Sequence, residues 1–73
     1  MKITALTHNE FLVETGELTG DLREIVGRCW LVGNTLRTAY KHGEIVLTPI
    51  RVTLGPRSFE LVTHLAVGQS ITL

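Results

Sequence analysis

The clearest pattern in the chain is an alternation of hydrophobic and polar residues within short segments that are separated by turn residues. The alternation is most regular between Glu44 and Leu73, where Ile50, Val52 and Leu54 have polar neighbours. Successive side chains of a β-strand point to opposite faces, so this alternation predicts half-buried strands. The segment is therefore expected to form strand, turn, strand, turn and strand.

Turn residues separate the predicted strands along the rest of the chain as well. Asparagine tolerates the left-handed backbone of tight hairpins, and a glycine in the first central position favours a type II′ turn. The predicted turns are His8-Asn9, Gly33-Asn34, Lys41-His42-Gly43, Gly55-Pro56-Arg57-Ser58 and Gly68-Gln69.

Pro49 interrupts the long hydrophobic segment from Glu44 to Leu54. Proline has no N–H to donate to a sheet and occurs at edges, bulges and corners. We therefore expect a bent strand that pairs with Thr35 to Tyr40 on one side of Pro49 and with Phe59 to Val67 on the other. Small barrels turn corners in this way.

The segment from Asp21 to Val32 fits two structures. Its apolar residues also follow a helical stripe, and Asp21 with Glu24 resembles a capping box. Gly27 and the β-branched residues favour a strand instead. The sequence thus predicts a mainly β fold in residues 1–73, a single domain formed by a small antiparallel meander or barrel of five to six strands, with a short helix at 21–32 as the alternative to a strand there.

The composition indicates a folded chain, and its small size predicts that it gains stability by forming a homo-oligomer. Hydrophobic residues make up 44% of the 73 residues, charged residues make up 19%, and seven basic residues balance seven acidic ones. This is too apolar for disorder, and zero net charge gives no general attraction to nucleic acid or anionic membranes. Small cores supply little stability, so a homo-oligomer, most simply a homodimer, is expected.

The cysteine and histidine residues bear on the cellular compartment and on possible catalytic or metal chemistry. One cysteine, Cys29, cannot form an internal disulfide, and the sequence has neither a signal peptide nor a membrane-spanning stretch, which predicts a cytoplasmic protein. His8, His42 and His64 lack the close spacing of metal ligands. We therefore predict no metal, no cofactor and no catalytic residue, and hence no enzymatic activity.

Three segments resemble short orphan proteins of bacteriophages and prophages. The similar residues are Gly27-Arg28-Cys29-Trp30, then Gly33-Asn34, then the segment from His42 to Ile50, within a span of about a third of the chain. The resemblance transfers no functional residue. It implies an origin in a mobile element and a protein that binds and modulates a host protein.

Nucleic-acid binding is the main alternative function. Small barrels that bind oligonucleotides use aromatic and basic side chains on a strand face. Such a face could be formed by Arg28, Trp30, Arg37 and Tyr40, with Lys41, Arg51 and Arg57 nearby.

Protein–protein interaction requires the fewest assumptions. Tryptophan, tyrosine and arginine are enriched at binding hot spots. The predicted binding residues are Trp30, Arg37, Tyr40 and His42. An uncovered strand edge can also pair with another chain, so Ile71 and Leu73 are predicted at an oligomer interface, unless the last strand closes its own barrel.

Overall fold

A computed structural model describes residues 1–16, 26–39, 43 and 49–73. These residues form six strands and one helix. In chain order they are β1 (Lys2–Ala5), β2 (Glu10–Glu14), β3 (Val26–Val32), β4 (Thr35–Thr38), β5 (Arg51–Thr53), α1 (Pro56–Thr63) and β6 (Ser70–Thr72).

The strands form one antiparallel sheet that curls into a half-barrel. The strand order is β5-β4-β3-β2-β1-β6, so the first five strands form a meander and β6 returns to the edge beside β1. The predicted mainly β fold with five to six antiparallel strands is confirmed.

Two of the predicted hairpin turns are present. Between β1 and β2, the Thr7 hydroxyl accepts the backbone N–H of Glu10 at 3.1 Å and donates to the side-chain oxygen of Asn9. Between β3 and β4, Gly33 has a φ of 61° and Asn34 has a negative φ. This combination is the one expected of a type II′ turn, in which the first central residue is left-handed.

The predicted strand from Phe59 to Val67 is wrong, because Pro56–Thr63 is a helix. Proline is well suited to the first turn of a helix, where its missing N–H has no partner to lose. The Phe59 N–H donates to the Gly55 carbonyl at 2.8 Å and continues the helix. The helix directs Phe59 and Val62, three residues apart, towards the core and leaves Leu61 48% exposed, whereas a strand would place Phe59 and Leu61 on the same face.

The favoured strand is confirmed over Val26–Val32, which form β3, and the alternative helix is wrong for these seven positions; residues 21–25 lie outside the described part. The predicted glycine-first turn at Gly68-Gln69 is corrected. Gly68 occupies the third position of a turn in which Gln69 N–H donates to the Ala66 carbonyl at 2.9 Å. With a φ of 89°, it forms a link from α1 to β6 instead of a glycine-first hairpin.

Of the strand that was expected to bend at Pro49, the structure describes only Pro49 and the residues that follow it. There, β5 pairs with β4, and the predicted pairing with Phe59 to Val67 does not form because most of that segment is helical. Residues 44–48 lie outside the described part of the chain.

The core lies on the inner face of the half-barrel. Every strand from β1 to β4 contributes one or two buried side chains, two more flank β5, and one comes from α1. They are Ile3, Ala5, Phe11, Val13, Cys29, Leu36, Ile50, Leu54 and Val62. Because inner and outer residues alternate along each strand, this core fixes which side chains point outward.

The last strand pairs with the first strand of the same chain. Leu73 N–H donates to the Met1 carbonyl at 2.7 Å, and the hydroxyls of Thr4 and Ser70 are 2.7 Å apart. Ile71 lies opposite Ile3 and packs against the core. Strands β5 and β6 therefore lie at the two ends of the strand order.

Candidate functional site

Four outer-face residues lie directly opposite one another on four neighbouring strands. Glu10 on β2 is opposite Trp30 on β3, Trp30 is opposite Arg37 on β4, and Arg37 is opposite Arg51 on β5. Side chains at directly opposed positions are about 4.5 to 5.5 Å apart at their Cβ atoms and interact with one another. We call Trp30, Arg37 and Arg51 the Trp30 cluster.

The core places the Trp30 cluster on the outer face. Cys29 precedes Trp30 and Leu36 precedes Arg37, and both are fully buried on the inner face. Their neighbours must point the other way. Trp30 is consequently 48% exposed although it lies in the middle of a central strand.

The cluster carries positive charge that no carboxylate of the described residues compensates. Glu10 is opposite Trp30, but its Oε2 lies 3.7 Å from the Nε of Arg28 and is shared with that residue. Within the described residues, neither Arg37 nor Arg51 forms an ion pair. Like charges directly opposite each other in a sheet are destabilising, so this pair adds nothing to the stability of the isolated chain.

A groove of about 390 Å³ adjoins the cluster. One wall is formed by residues of β3 and β4 and by the residue after β4, and the other by the start of β5 and the two residues before it. The described lining residues are Trp30, Arg37, Thr38, Ala39, Pro49, Ile50 and Arg51. Thr38 joins these two walls: its hydroxyl accepts the Ile50 N–H and donates to the Ile50 carbonyl at 3.2 Å. The groove thus has an exposed aromatic ring and two arginines in its walls, and the Thr38–Ile50 hydrogen bonds hold the two walls together.

The sequence-predicted binding residues are only partly described. Trp30 and Arg37 are brought together by the β3–β4 hairpin, whereas Tyr40 and His42 lie outside the described residues. Arg51 joins them, although it was expected only as part of a nucleic-acid surface. Its parity relative to Val52 was the available signal, since Val52 packs against the core and Arg51 points outward.

The two predicted oligomer-interface residues have different surroundings. Ile71 is half-buried against the core, and Leu73 is 40% exposed at the end of the chain. Their role in self-association stays a prediction.

The described residues show no constellation for metal or nucleophilic chemistry. No three metal-binding side chains among them lie close together. His8 lies in the exposed β1–β2 turn, and the Nδ1 of His64 is 2.7 Å from the Glu60 carbonyl. Burial raises the pKa of the Cys29 thiol from its usual 9.0 to about 11, which disfavours the nucleophilic thiolate.

Comparison with known proteins adds no family. No protein-family model matches the chain, and neither a curated protein nor a solved structure is significantly similar to it. In the described part of the chain, no helix has the length and apolar character needed to cross a membrane.

Proposed function

We propose that this chain is a non-enzymatic binding module that uses its outer face, centred on the Trp30 cluster, to bind a protein partner. The observation that carries the proposal is the direct opposition of Trp30, Arg37 and Arg51 on three neighbouring strands. None of the three side chains belongs to the core, and two of them repel each other. An exposed tryptophan followed by two arginines in one row has the composition of a protein-binding hot spot.

The positive charge of the cluster favours an acidic partner surface. Glu10, the carboxylate in the row, is paired with Arg28, and among the described residues no carboxylate pairs with Arg37 or Arg51, which suits them to carboxylates of another molecule. Arginine forms two parallel hydrogen bonds with a carboxylate, which adds geometric specificity to the attraction. The resemblance to short phage and prophage proteins supports a cytoplasmic host protein as the partner.

Affinity capture from a lysate of the source cell tests this proposal. Trp30→Ala removes the ring, and Val32→Ala is the matched control because Val32 is on the same strand and outer face and is 45% exposed. The proposal expects a protein that survives nuclease treatment of the lysate, is recovered with wild type and Val32→Ala, and is lost with Trp30→Ala. Equal recovery with all three proteins would contradict it.

Single-stranded nucleic acid is the second candidate, because the structure brings Arg28, Trp30, Arg37 and Arg51 to one outer face. Bases stack on aromatic rings while arginines contact the backbone phosphates. The chain has one tryptophan, so its fluorescence reports contact at this face directly. Quenching by a single-stranded oligonucleotide that weakens as salt rises would favour this candidate; an unchanged spectrum at low salt would exclude it.

A further inference from the structure

The outer edge of β5 has backbone groups that face away from the sheet. Thr38 N–H donates to the Ile50 carbonyl at 2.9 Å, and Leu54 N–H donates to the Asn34 carbonyl at 2.7 Å. Bonded and non-bonded pairs alternate in an antiparallel ladder, so Leu36 and Val52 form the bonded pair between these two. The N–H and C=O groups of Arg51 and Thr53 therefore point away from β4.

No described residue hydrogen-bonds to these outward backbone groups. An edge strand of this kind can accept an extended segment, whose main chain then supplies the hydrogen bonds. The edge is short, because β5 has three residues, so main-chain pairing alone gives few bonds. Side-chain complementarity must then decide which segment binds.

The Arg37–Arg51 pair supplies that complementarity. A residue that pairs with Arg51 from outside the sheet would extend the outer-face row of Trp30, Arg37 and Arg51 by one position. Opposite charges at directly opposed positions contribute about 0.2 to 1 kcal/mol, whereas like charges repel. An acidic residue at this position would therefore be favoured and a basic one rejected.

The inner face sets the alternate position of the segment. Val52 lies between Arg51 and Thr53, is half-buried, and packs against the core. A residue opposite Val52 would point to the same inner side, where an apolar side chain extends the contact. The fitting sequence thus alternates acidic and apolar residues.

We infer that the β5 edge binds an extended segment of a protein partner, adding it as a further strand whose acidic residue lies opposite Arg51. This inference rests on the proposed protein-binding function and specifies how the partner binds. The edge does not favour a second copy of this chain, because antiparallel pairing of two β5 strands about Val52 would place Arg51 opposite Thr53 and would supply no acidic partner for the arginine.

Hydrogen exchange of the full chain, followed by NMR, tests the inference. The probe is a short, capped peptide of alternating glutamate and valine, compared with the same peptide carrying lysine in place of glutamate. The expected result is slower exchange of the Arg51 and Thr53 amides with the glutamate peptide. In a glutamate peptide whose glutamate amides are N-methylated, the residues opposite Arg51 and Thr53 cannot donate to the edge, and this peptide should give no such protection.

Charge exchange supplies the matched variants. Arg51→Glu is expected to weaken binding of the glutamate peptide by roughly three- to tenfold and to strengthen binding of the lysine peptide. Arg57→Glu makes the same change of net charge on α1 and should leave both affinities unchanged. Equal losses in the two variants would show a general charge effect and would overturn the inference.

The remaining outcomes separate the inference from the proposed function. Resonance shifts at Trp30 without protection of the Arg51 and Thr53 amides would overturn strand addition and leave the outer face as a binding surface. Protection of these amides that grows with protein concentration in the absence of peptide would assign the edge to a second copy. A peptide that changes neither region would overturn the inference, while partner capture through Trp30 would still test the proposed function.

Discussion

Arg37 and Arg51 lie directly opposite each other on the outer faces of β4 and β5. They form a non-hydrogen-bonded pair, in which opposed Cα atoms are closest, at about 4.5 Å. No described carboxylate pairs with either side chain. The sheet therefore places two like charges side by side next to an exposed tryptophan, where they weaken the isolated chain and suit an anionic partner.

Removing one charge of this pair should stabilise the isolated protein. We expect Arg51→Thr to raise the free energy of unfolding by a few tenths of a kcal/mol, up to about 1 kcal/mol, in chemical denaturation at low salt. The gain should shrink as salt screens the repulsion in the wild type. Arg28→Thr is the control on the same face, since it removes the ion pair with Glu10 and should not stabilise. A lower free energy of unfolding for Arg51→Thr would show that repulsion between Arg37 and Arg51 does not destabilise the wild type.

Gly27 leaves room for Ile50 in the core. A Cβ at position 27 would lie 2.8 Å from the Ile50 Cδ1 atom, so Gly27→Ala must displace the end of that side chain. We expect a loss of about 1 kcal/mol, at the lower end for overpacked core positions, because the displaced atom is the end of a side chain and not backbone. Ile50→Val removes Cδ1, so Gly27→Ala should cost clearly less in that background. A double-mutant cycle by denaturation measures the coupling, and additive losses would contradict the contact.

The buried thiol of Cys29 should make stability depend on alkaline pH. Because its pKa is raised from 9.0 to about 11 in the folded chain, the unfolded chain releases this proton first. The contribution of Cys29 to the free energy of unfolding is fully present below pH 9.0. It falls by about 2 to 3 kcal/mol as pH rises to about 11.

Cys29→Ala isolates this effect from other groups that titrate at high pH. The difference in unfolding free energy between wild type and Cys29→Ala should be constant below about pH 9 and should shift against the wild type above it. Modification of the folded wild type by a water-soluble thiol reagent should also be slow at neutral pH, because Cys29 is 0% exposed. Rapid modification, or a difference that does not vary with pH, would contradict the burial.

Substitutions at Ile71 and Leu73 distinguish a role of this segment in folding from a role in self-association. We expect Ile71→Asp to destabilise the chain, because Ile71 packs against the core beside Ile3, whereas Leu73→Asp should leave it folded. If β6 is the oligomer interface, light scattering after size exclusion should show a wild-type dimer and a smaller species for Leu73→Asp. A wild type that is strictly monomeric at high concentration would refute the predicted homodimer.

The β3–β4 hairpin shows how much of the site could be predicted from the sequence. A two-residue turn at Gly33-Asn34 fixes the register, and it places Trp30 opposite Arg37 without further information. Arg51 could not be placed in the same way. The connection from β4 to β5 is long and contains Pro49, so its length does not determine the register between these strands.

The helix shows where alternation fails as a signal. Phe59 and Leu61 share the parity of a strand face, while Phe59 and Val62 share the spacing of a helix face, so a short segment fits both patterns. Gly55-Pro56 was interpreted as a turn, yet a proline in the first turn also begins helices. In the structure the helical spacing is satisfied, since Val62 is 1% exposed and Leu61 is not buried.

The proposed function requires a protein partner to contact the outer face around Trp30, Arg37 and Arg51. Site-specific photo-cross-linking in the source cell detects such a contact. A photoreactive residue is placed at Thr53, on the edge strand beside Arg51, or at Thr72, on the opposite edge strand of the same sheet.

We predict a discrete protein adduct from position 53 that disappears when Trp30→Ala is added, and no such adduct from position 72. An adduct from position 72 alone, an adduct at position 53 that persists without the Trp30 ring, or cross-linking to nucleic acid would contradict the account.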